Sequence, residues 1–272
     1  MTDKLATEGR YRRDIMKIGT RNISKVCLAA LEKRHYIAAK NRVAVYADPV
    51  DACRRYLSCA GSYPASVTVR AHYGPIELML YSSHDLRTVN EIFCREDYKA
   101  DDRGGIIVDF GSNIGISAAY FLSRNTTSFA YLFEPVPRNI DRLNANLAGF
   151  RGRYELSRVA VAPEPGVVSF GCEETGRYGG IGKATDDTIQ VDAVSASEVL
   201  GGIIAKHGKI DILKIDIETL EEQVIDGLPL DLVKQIRTCY IEYRFVNNPF
   251  SRTHEMRQYG AVAQFRSLLH HN

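Results

Sequence analysis

The sequence predicts an α/β protein built on a doubly wound, mostly parallel sheet. Two observations favour this class. From residue 105 onward, short apolar segments alternate with segments of helical periodicity, which is the order that parallel strands and crossover helices produce. An apolar segment at 106–110 also runs into a turn bracketed by Gly111 and Gly115. Ligands bind beyond the carboxyl ends of strands in such sheets, so we expect a site there.

Composition excludes several functional classes. The 272 residues carry 35 Lys and Arg against 33 Asp and Glu, a balance too even for a typical nucleic-acid-binding protein. We find no apolar run of the ~18 residues that a membrane span needs and no secretory signal. The six cysteines are scattered without a C-x-x-C pair, which is typical of reduced thiols. A cytoplasmic protein is therefore expected.

The segment before residue 105 is predicted to contain a basic extension, a hairpin and a helix. Residues 1–42 hold 11 Lys and Arg against four acids, and apolar residues recur at helical spacing over 11–40. We therefore expect a basic amphipathic helical extension over residues 1–45, ahead of a domain over 46–272. The extension could pack on its own domain, mediate a homo-oligomer, guide an anionic acceptor or lie on a membrane surface. Residues 61–82 predict a hairpin turning at Gly74-Pro75, and 85–98 a helix with Asp85 as N-cap.

The remaining elements are predicted from the alternation alone. Strands are expected at 105–110, 129–134, 154–161, 167–170, 188–191, 210–217 and 235–242, and helices at 114–122, 137–147, 196–206 and 220–226. The segment Asn247–Phe250 is expected to be a turn.

The first strand, turn and helix predict a nucleoside site. The turn should present free backbone N–H groups at the start of the helix. Asp109, at the end of the strand, disfavours a phosphate and suits an amino-bearing ligand. Glu134, at the end of the next strand, could accept hydrogen bonds from a ribose diol. A dinucleotide site expects G-x-G-x-x-G, and Gly111-Ser112-Asn113 lacks the second glycine. An adenosine with a cationic amino-acid tail is S-adenosylmethionine, although the glycines alone could also form a structural turn.

The predicted strand 210–217 is unusually polar for the centre of a parallel sheet. Because side chains alternate along a strand, Lys214, Asp216 and Glu218 should share one face. They could form a self-satisfied Lys–Asp pair that supports the sheet. Alternatively, Asp216 and Glu218 could lie at the floor of a pocket, beside the methyl donor and its acceptor.

A family resemblance is carried by these segments together: Tyr73-Gly74-Pro75, His84-Asp85, Glu91-Ile92-Phe93 with Tyr98, Val108–Ser117, Phe133-Glu134-Pro135, and Leu213–Glu221. The last matches the pattern K-x-D-x-E-G-x-E, with Thr219 in place of the glycine. Over residues 72–265 the chain resembles the FkbM family of S-adenosylmethionine-dependent methyltransferases, which implies a Rossmann-like, class I methyltransferase fold. The resemblance implies that the residues holding the cofactor are Asp109, Gly111, Ser112, Asn113, Gly115, Ser117, Glu134 and Pro135, with Val159 and Ala160 flanking the adenine.

The resemblance implies O-methylation of a sugar hydroxyl in an oligosaccharide, polysaccharide or glycolipid. A polyketide hydroxyl is the alternative, and an RNA methyltransferase or a non-catalytic cofactor-binding module is less favoured. Asp216 is the first candidate for the general base, followed by Glu218, Glu242 and His254. A carboxylate pair could also hold a divalent metal, but no third ligand stands at a recognisable spacing, so no metal is predicted. We expect a glycan or small-molecule acceptor as partner and no nucleic acid.

Overall fold

The computed structural model describes residues 17–18, 21–22, 33–58, 61–173, 179–183, 185 and 187–269. Strands β1 (Lys17–Ile18) and β2 (Arg21–Asn22) form a short antiparallel pair. The helix predicted over 11–40 is therefore wrong at these four residues. The rest of 1–32 lies outside the described residues.

Two helices and a hairpin follow the first strands. The helices span Lys33–Val45 and Pro49–Ser58. Strands β3 (Ala65–Ala71) and β4 (Gly74–Leu80) form the hairpin. The hairpin is confirmed, although it turns at His72-Tyr73, just before the expected Gly74-Pro75.

The helix predicted over 85–98 consists of an α-helix, Ser83–Val89, and a π-helical turn, Asn90–Cys94. Asp85 is not the N-cap. The hydroxyl of Ser82 accepts a hydrogen bond from the amide of Asp85, and the carboxylate of Asp85 accepts one from the amide of Ser82. This reciprocal capping box places Ser82 at the N-cap and Asp85 three residues later.

Most of the elements predicted after residue 105 are confirmed, with shifted ends. The strands are β5 (Ile106–Phe110), β6 (Phe129–Phe133), β7 (Tyr154–Ser157), β8 (Ala160–Ala162), β9 (Gly166–Cys172), β10 (Gly179–Ile181), β11 (Asp187–Ser195), β12 (Ile210–Ile215), β13 (Ile236–Ile241), β14 (His254–Tyr259) and β15 (Val262–Ser267). The helices are Ile116–Leu122, Pro137–Asn146, Ala196–His207, Glu221–Asp226 and Leu230–Val233, with a 3-10 turn at Ala148–Phe150.

The main sheet has seven strands in the order β14-β15-β13-β12-β5-β6-β7. The strands from β13 to β7 are parallel, and β15 is antiparallel to both of its neighbours. The chain runs outward from β5 to β7 and then returns to β12 on the other side of β5. The strand order thus reverses between β5 and β12, and a crevice opens there at the carboxyl ends. The predicted α/β, doubly wound fold is confirmed.

A second sheet, in the order β10-β9-β11-β8, is inserted after β7. The single strand predicted over 154–161 is therefore wrong. β7 pairs with β6 in the main sheet, whereas β8 pairs with β11 in the second one. The chain changes sheet between them, at Arg158 and Val159.

Apolar side chains cover both faces of the main sheet. Neighbouring residues such as Ile107 and Val108 enter different hydrophobic clusters because successive side chains point to opposite faces. A third cluster, including Ala160 and Phe170, underlies the second sheet. Among the described residues, no helix combines the length and the hydropathy needed to cross a bilayer. The described cysteines Cys53, Cys94, Cys172 and Cys239 are free.

Candidate active site

A cavity of about 220 Å³ lies at the carboxyl ends of β5, β6, β12 and β13. It brings together most of the side chains that the sequence singled out. Those that line it are Gly111, Ser112, Asn113, Ser117, Glu134, Pro135, Val159, Ala160, Asp216, Glu218 and Glu242. Asp109, Gly115 and His254 are not among the lining residues.

Gly111 lets the turns after β5 and β12 approach each other closely. Its φ is +81°, and a Cβ atom there would lie 1.8 Å from the carbonyl oxygen of Asp216. The amide of Asp216 in turn donates to the carbonyl of Phe110 at 3.1 Å. Any side chain at position 111 would therefore push the Asp216 turn out of the site. Gly115, with φ +85°, packs against Leu143 and Leu147 instead of facing the cavity.

The backbone amides of the glycine turn are bonded within the protein. The amides of Gly111 and Ser112 donate to the carbonyl of Phe133 at 3.1 and 3.0 Å, and the amide of Asn113 donates to Oε2 of Glu134 at 2.9 Å. The expectation of free N–H groups is wrong for these residues, because the end of β6 lies directly beneath the turn. Amides engaged in this way cannot cradle a phosphate.

Asp109 does not line the cavity, contrary to the prediction that it binds an amino-bearing ligand. It is fully buried. Its Oδ1 lies 3.0 Å from Nζ of Lys214, and its Oδ2 accepts a hydrogen bond of 2.6 Å from the hydroxyl of Ser117. Since Asp109 and Lys214 are opposite each other in the β5–β12 register, the neighbouring strand takes up the carboxylate. Asp109 acts on the cavity only through Ser117 and Lys214.

Lys214 links the glycine turn to the acid that follows β12. Its ammonium donates to the carbonyl of Gly111 at 3.0 Å and lies 3.2 Å from Oδ2 of Asp216. Burial alone would lower the pKa of Lys214, but Asp109 and Asp216 outweigh it and raise the pKa. The ammonium therefore stays charged between the two carboxylates.

Glu134 is nearly closed off from solvent, with three hydrogen bonds from the protein. Its Oε1 accepts from the amide of Val136 at 3.0 Å and from Nδ2 of Asn139 at 3.2 Å, and its Oε2 from Asn113. Burial raises the pKa of Glu134 to about 7. A carboxylate offers roughly four acceptor positions, so it retains room for a further donor from the cavity.

Asp216 and Glu242 form a carboxyl pair at the ends of β12 and β13. The neighbouring Asp216 carboxylate, with burial and a hydrogen bond between the two groups, raises the pKa of Glu242 to about 8. Like charges this close favour a shared proton. Tyr243, which could have paired Glu242, instead donates to Glu222.

The alternation of side chains predicted that Glu218 would lie on the same strand face as Lys214, and this prediction is wrong. Strand β12 ends at Ile215, and Glu218 and Thr219 adopt φ values of +55° and +104°. Oε2 of Glu218 lies 3.2 Å from Nζ of Lys183, and the hydroxyl of Thr219 donates to the carbonyl of Ile181 at 3.0 Å. The turn is thus attached to the second sheet.

His254 lies away from the site, contrary to its place among the candidate bases. It is buried, not exposed. Its Nδ1 lies 2.9 Å from the hydroxyl of Thr253, and its Nε2 2.8 Å from the carbonyl of Ile236. Ile236 begins β13, whereas the cavity lies where β13 ends.

The predicted turn Asn247–Phe250 is confirmed, and within it Oδ1 of Asn248 accepts from the amide of Phe250.

Sequence reasoning missed one wall of the cavity. Glu91, Arg95 and Tyr98 line it from the helical segment before β5. Arg95 bonds Asp97 through Nε at 2.8 and 2.9 Å and lies 3.4 Å from Glu91. Glu91 and Tyr98 stand in segments that resemble the FkbM family, so the resemblance could have identified them.

Across the described ranges, no group of three or more His, Cys, Asp or Glu is arranged to hold a metal ion.

Known proteins similar to this chain are methyltransferases or larger biosynthetic enzymes. Hexuronic acid methyltransferase AglP of Haloferax volcanii is 25% identical over 151 residues, which is 55% of this chain and 60% of that protein. AMB antimetabolite synthetase AmbE of Pseudomonas aeruginosa is 24% identical over 217 residues, 61% of this chain and 10% of that protein. The chain thus spans less than two thirds of the length of either relative.

Solved structures of methyltransferases are more distant. A methyltransferase from Geobacter sulfurreducens is 14% identical, with a TM-score of 0.39, and the match covers 66% of this chain and 78% of that protein. M. jannaschii TYW2 in complex with AdoMet is 9% identical, with a TM-score of 0.35, and the match covers 77% of this chain and 90% of that protein. The fold assignment rests on the strand order of the chain itself.

A family model decides the assignment. The model of the methyltransferase FkbM domain matches residues 109–267, which is more than half of the chain. The match begins at the buried Asp109 and includes the glycine turn, the Lys214–Asp216 segment and Glu242. The chain therefore belongs to the FkbM methyltransferase family.

Proposed function

We propose that the protein is an S-adenosylmethionine-dependent O-methyltransferase acting on a sugar hydroxyl in an oligosaccharide, polysaccharide or glycolipid. The observation that carries the proposal is the pairing of Asp216 with Glu242 beside the glycine turn, which provides a base where a methyl acceptor would lie. A relative named for a hexuronic acid supports the sugar class.

The cavity suits this cofactor in the chemistry of its lining. Ser117 and Glu134 offer polar groups for a ribose and an amino-acid tail, and Val159 and Ala160 offer apolar surface for an adenine. The glycine turn has no Cβ at position 111, and its amides are already bonded. That arrangement suits a nucleoside without phosphates. When bound, S-adenosylmethionine supplies a methyl group on a positively charged sulfur.

Asp216 takes the acceptor proton in this proposal. A neutral hydroxyl is a weak nucleophile, and a positioned base contributes roughly 10²–10⁴-fold. The ammonium of Lys214 lies 3.2 Å from Oδ2 of Asp216 and holds that carboxyl group in place beside the glycine turn. Glu242 retains the proton of the pair, so the pair carries one negative charge. Positioning of the acceptor by the cavity walls supplies a further part of the rate.

An RNA acceptor is disfavoured by the lining. Among the described lining residues, eight are acids and two are bases, the reverse of a surface that binds phosphates. A polyketide hydroxyl would use the same chemistry. The sugar is preferred because so polar a lining suits an acceptor with several hydroxyls.

Radiolabelled S-adenosylmethionine would test the proposal. The protein is incubated with oligosaccharides, glycolipids, a macrolide alcohol and RNA, with Asp216→Asn as the matched control. We expect label in a carbohydrate, held as a methyl ether that survives mild alkali, and none with the control. Label in RNA, or alkali-labile label released as an ester, would contradict the proposal. So would a failure of the protein to bind the cofactor in calorimetry.

A further inference from the structure

The side chain of Tyr98 lies at the cavity, in the segment between the π-helical turn and β5. It lines the same cavity as Asp216 and Glu242, and the residue is only 5% exposed. The carboxyl pair and the predicted contacts to the cofactor do not involve it. A polar side chain so enclosed at a cavity needs a reason in its packing or in a ligand.

The ring of Tyr98 is held by its neighbours. Its centroid lies 5.6 Å from that of Tyr240, edge to face, and 6.2 Å from that of Phe121. The ammonium of Lys214 lies 6.0 Å from the same centroid and 3.2 Å from Oδ2 of Asp216. Tyr98 and the candidate base are therefore neighbours of one ammonium. A ring packed against other aromatic rings in this way keeps its hydroxyl at one position.

The hydroxyl of Tyr98 has no hydrogen-bond partner among the described residues. The neighbouring hydroxyl of Tyr240, in contrast, donates to the carbonyl of Lys99. The hydroxyl of Tyr98 also differs from those of Tyr46 and Tyr63, which protein atoms close off from solvent. Buried polar groups in folded proteins are nearly always hydrogen-bonded. The hydroxyl of Tyr98 therefore opens into the cavity, where a ligand can supply its partner.

The hydroxyl of Tyr98 is suited to donate a hydrogen bond to an oxygen beside the base. Burial raises the pKa of Tyr98, and the carboxylates of Asp216 and Glu242 raise it further, so the proton stays on the oxygen. An acceptor hydroxyl has one proton to give and two lone pairs. When its proton is directed to Asp216 and one lone pair is bonded by Tyr98, the other lone pair is left for the methyl group.

We infer that Tyr98 is a further catalytic residue, whose hydroxyl donates a hydrogen bond to the acceptor oxygen that Asp216 deprotonates. This inference rests on the proposed function. The acceptor O–H bond breaks and its proton goes to Asp216. The electron pair of the oxygen forms the bond to the methyl carbon, while the carbon–sulfur bond breaks and leaves its pair on the sulfur. The hydrogen bond from Tyr98 directs that electron pair and stabilises the negative charge that develops on the oxygen.

Tyr98→Phe tests the inference because it removes the hydroxyl and keeps the ring. Turnover is measured with saturating labelled S-adenosylmethionine, on the oligosaccharides and glycolipids of the experiment above and on methyl glucoside. We expect kcat to fall by roughly 10²–10³-fold, as when a donor to a developing oxyanion is lost. KM for the acceptor should change by less than about threefold, because the interaction strengthens in the transition state. Affinity for S-adenosylhomocysteine in calorimetry should stay the same.

Tyr240→Phe is the matched control. It also removes a tyrosine hydroxyl, but one that bonds the carbonyl of Lys99 and belongs to a residue outside the described cavity lining. It should lower the urea midpoint of unfolding and leave kcat unchanged. Tyr98→Phe should show the opposite pattern, with an unchanged midpoint, because its hydroxyl has no protein hydrogen bond to lose.

The outcomes separate the inference from the proposed function. Wild-type turnover by Tyr98→Phe would overturn the inference and leave the proposed function standing. So would a loss of turnover with a lower urea midpoint, which indicates a structural role, or a loss of affinity for S-adenosylhomocysteine, which places the hydroxyl on the cofactor. Label in no carbohydrate would contradict the proposed function, and the inference would fail with it.

Discussion

The ammonium of Lys214 lies 3.0 Å from a carboxylate oxygen of Asp109, and both side chains are closed off from solvent. The pair joins the two central strands of the sheet at the point where the cavity begins. Lys214 lines the cavity, whereas Asp109 lies behind it and supports it.

Removing the lysine should destabilise the fold strongly. Lys214→Met leaves the Asp109 carboxylate buried without its cation, and breaking such a pair costs about 3–5 kcal/mol. Urea denaturation would measure the loss. The double variant Lys214→Met/Asp109→Asn should recover part of it, whereas Lys234→Met, in an exposed pair with Asp231, should cost less than about 1 kcal/mol. Equal losses for the two lysine variants would contradict the role of Lys214.

Replacing the candidate base should separate catalysis from binding. Asp216→Asn keeps the shape of the side chain but removes the proton acceptor, so we expect turnover to fall by roughly 10²–10⁴-fold. Cofactor affinity in calorimetry should change by less than about threefold. Glu218→Gln serves as the comparison, because Glu218 is paired with Lys183 outside the carboxyl pair, and it should retain most of the turnover. Wild-type turnover by Asp216→Asn would remove Asp216 from the mechanism.

The carboxyl pair should make stability depend on pH in a defined direction. Asp216 and burial raise the pKa of Glu242 from its ordinary 4.5 to about 8. Between these values the folded protein keeps a proton that the unfolded chain has lost, so the free energy of unfolding should fall as pH rises through this window. Glu242→Gln removes this slope and should stabilise the protein more at pH 8.5 than at pH 5.

Urea unfolding of wild type and variant at the two pH values would measure this difference. Glu164→Gln, which removes an exposed carboxylate outside the cavity, should change stability by less than about 0.5 kcal/mol at either pH. A Glu242→Gln effect that is the same at pH 5 and pH 8.5 would show that the two carboxyl groups do not share a proton.

Two glycines with nearly equal φ angles allow the cost of backbone strain to be measured apart from the cost of a steric clash. Gly111 and Gly152 have φ of +81° and +80°, but a Cβ atom would meet Asp216 at position 111 and open space at 152. Gly152→Ala should cost about 1 kcal/mol from the left-handed backbone alone. Gly111→Ala should cost more in urea denaturation and should also abolish cofactor binding. Equal costs would mean that the turn after β12 can shift freely.

Thr219 occupies a backbone conformation that suits glycine. Its φ of +104° explains why the family pattern has glycine at this place. Thr219→Ala and Thr219→Gly both lose the hydrogen bond to Ile181, but only the glycine relieves the strain. We expect Thr219→Gly to be more stable than Thr219→Ala by about 1 kcal/mol in thermal or urea unfolding. A more stable alanine variant would show that the backbone at position 219 is not strained.

Local patterns in the sequence were enough to predict the parallel strands of the main sheet and the part of the cavity lining around the glycine turn and Asp216. The apolar segment ending at Phe110 and the glycines after it predict a strand, a turn and a helix because those preferences are local. The partner of Asp109 could not be predicted, since it depends on the register between β5 and β12, strands separated by about a hundred residues. For the same reason the sequence could not show that His254 contacts the carbonyl of Ile236 instead of lining the cavity.

The second sheet was anticipated only as short strands. Its attachment to the turn at Glu218 depends on Lys183 and Ile181, contacts that no periodicity reveals. The π-helical turn at Asn90–Cys94 likewise follows from packing and not from a helical pattern. These tertiary contacts, more than any motif, shape the part of the cavity lined by Glu91 and Glu218.

The helix Lys33–Val45 is joined to the wall of the site through that π-helical turn. Nδ2 of Asn41 donates to the carbonyl of Cys94 at 2.9 Å, and Nε of Arg42 donates to Oδ1 of Asn90 at 2.8 Å. Ala38 is buried in the same core. A recombinant form trimmed at residue 45 would lose both anchors and expose that core. A recombinant form of this domain should therefore begin ahead of residue 33, even though the basic charge of residues 1–45 suggests that they are separate from the domain.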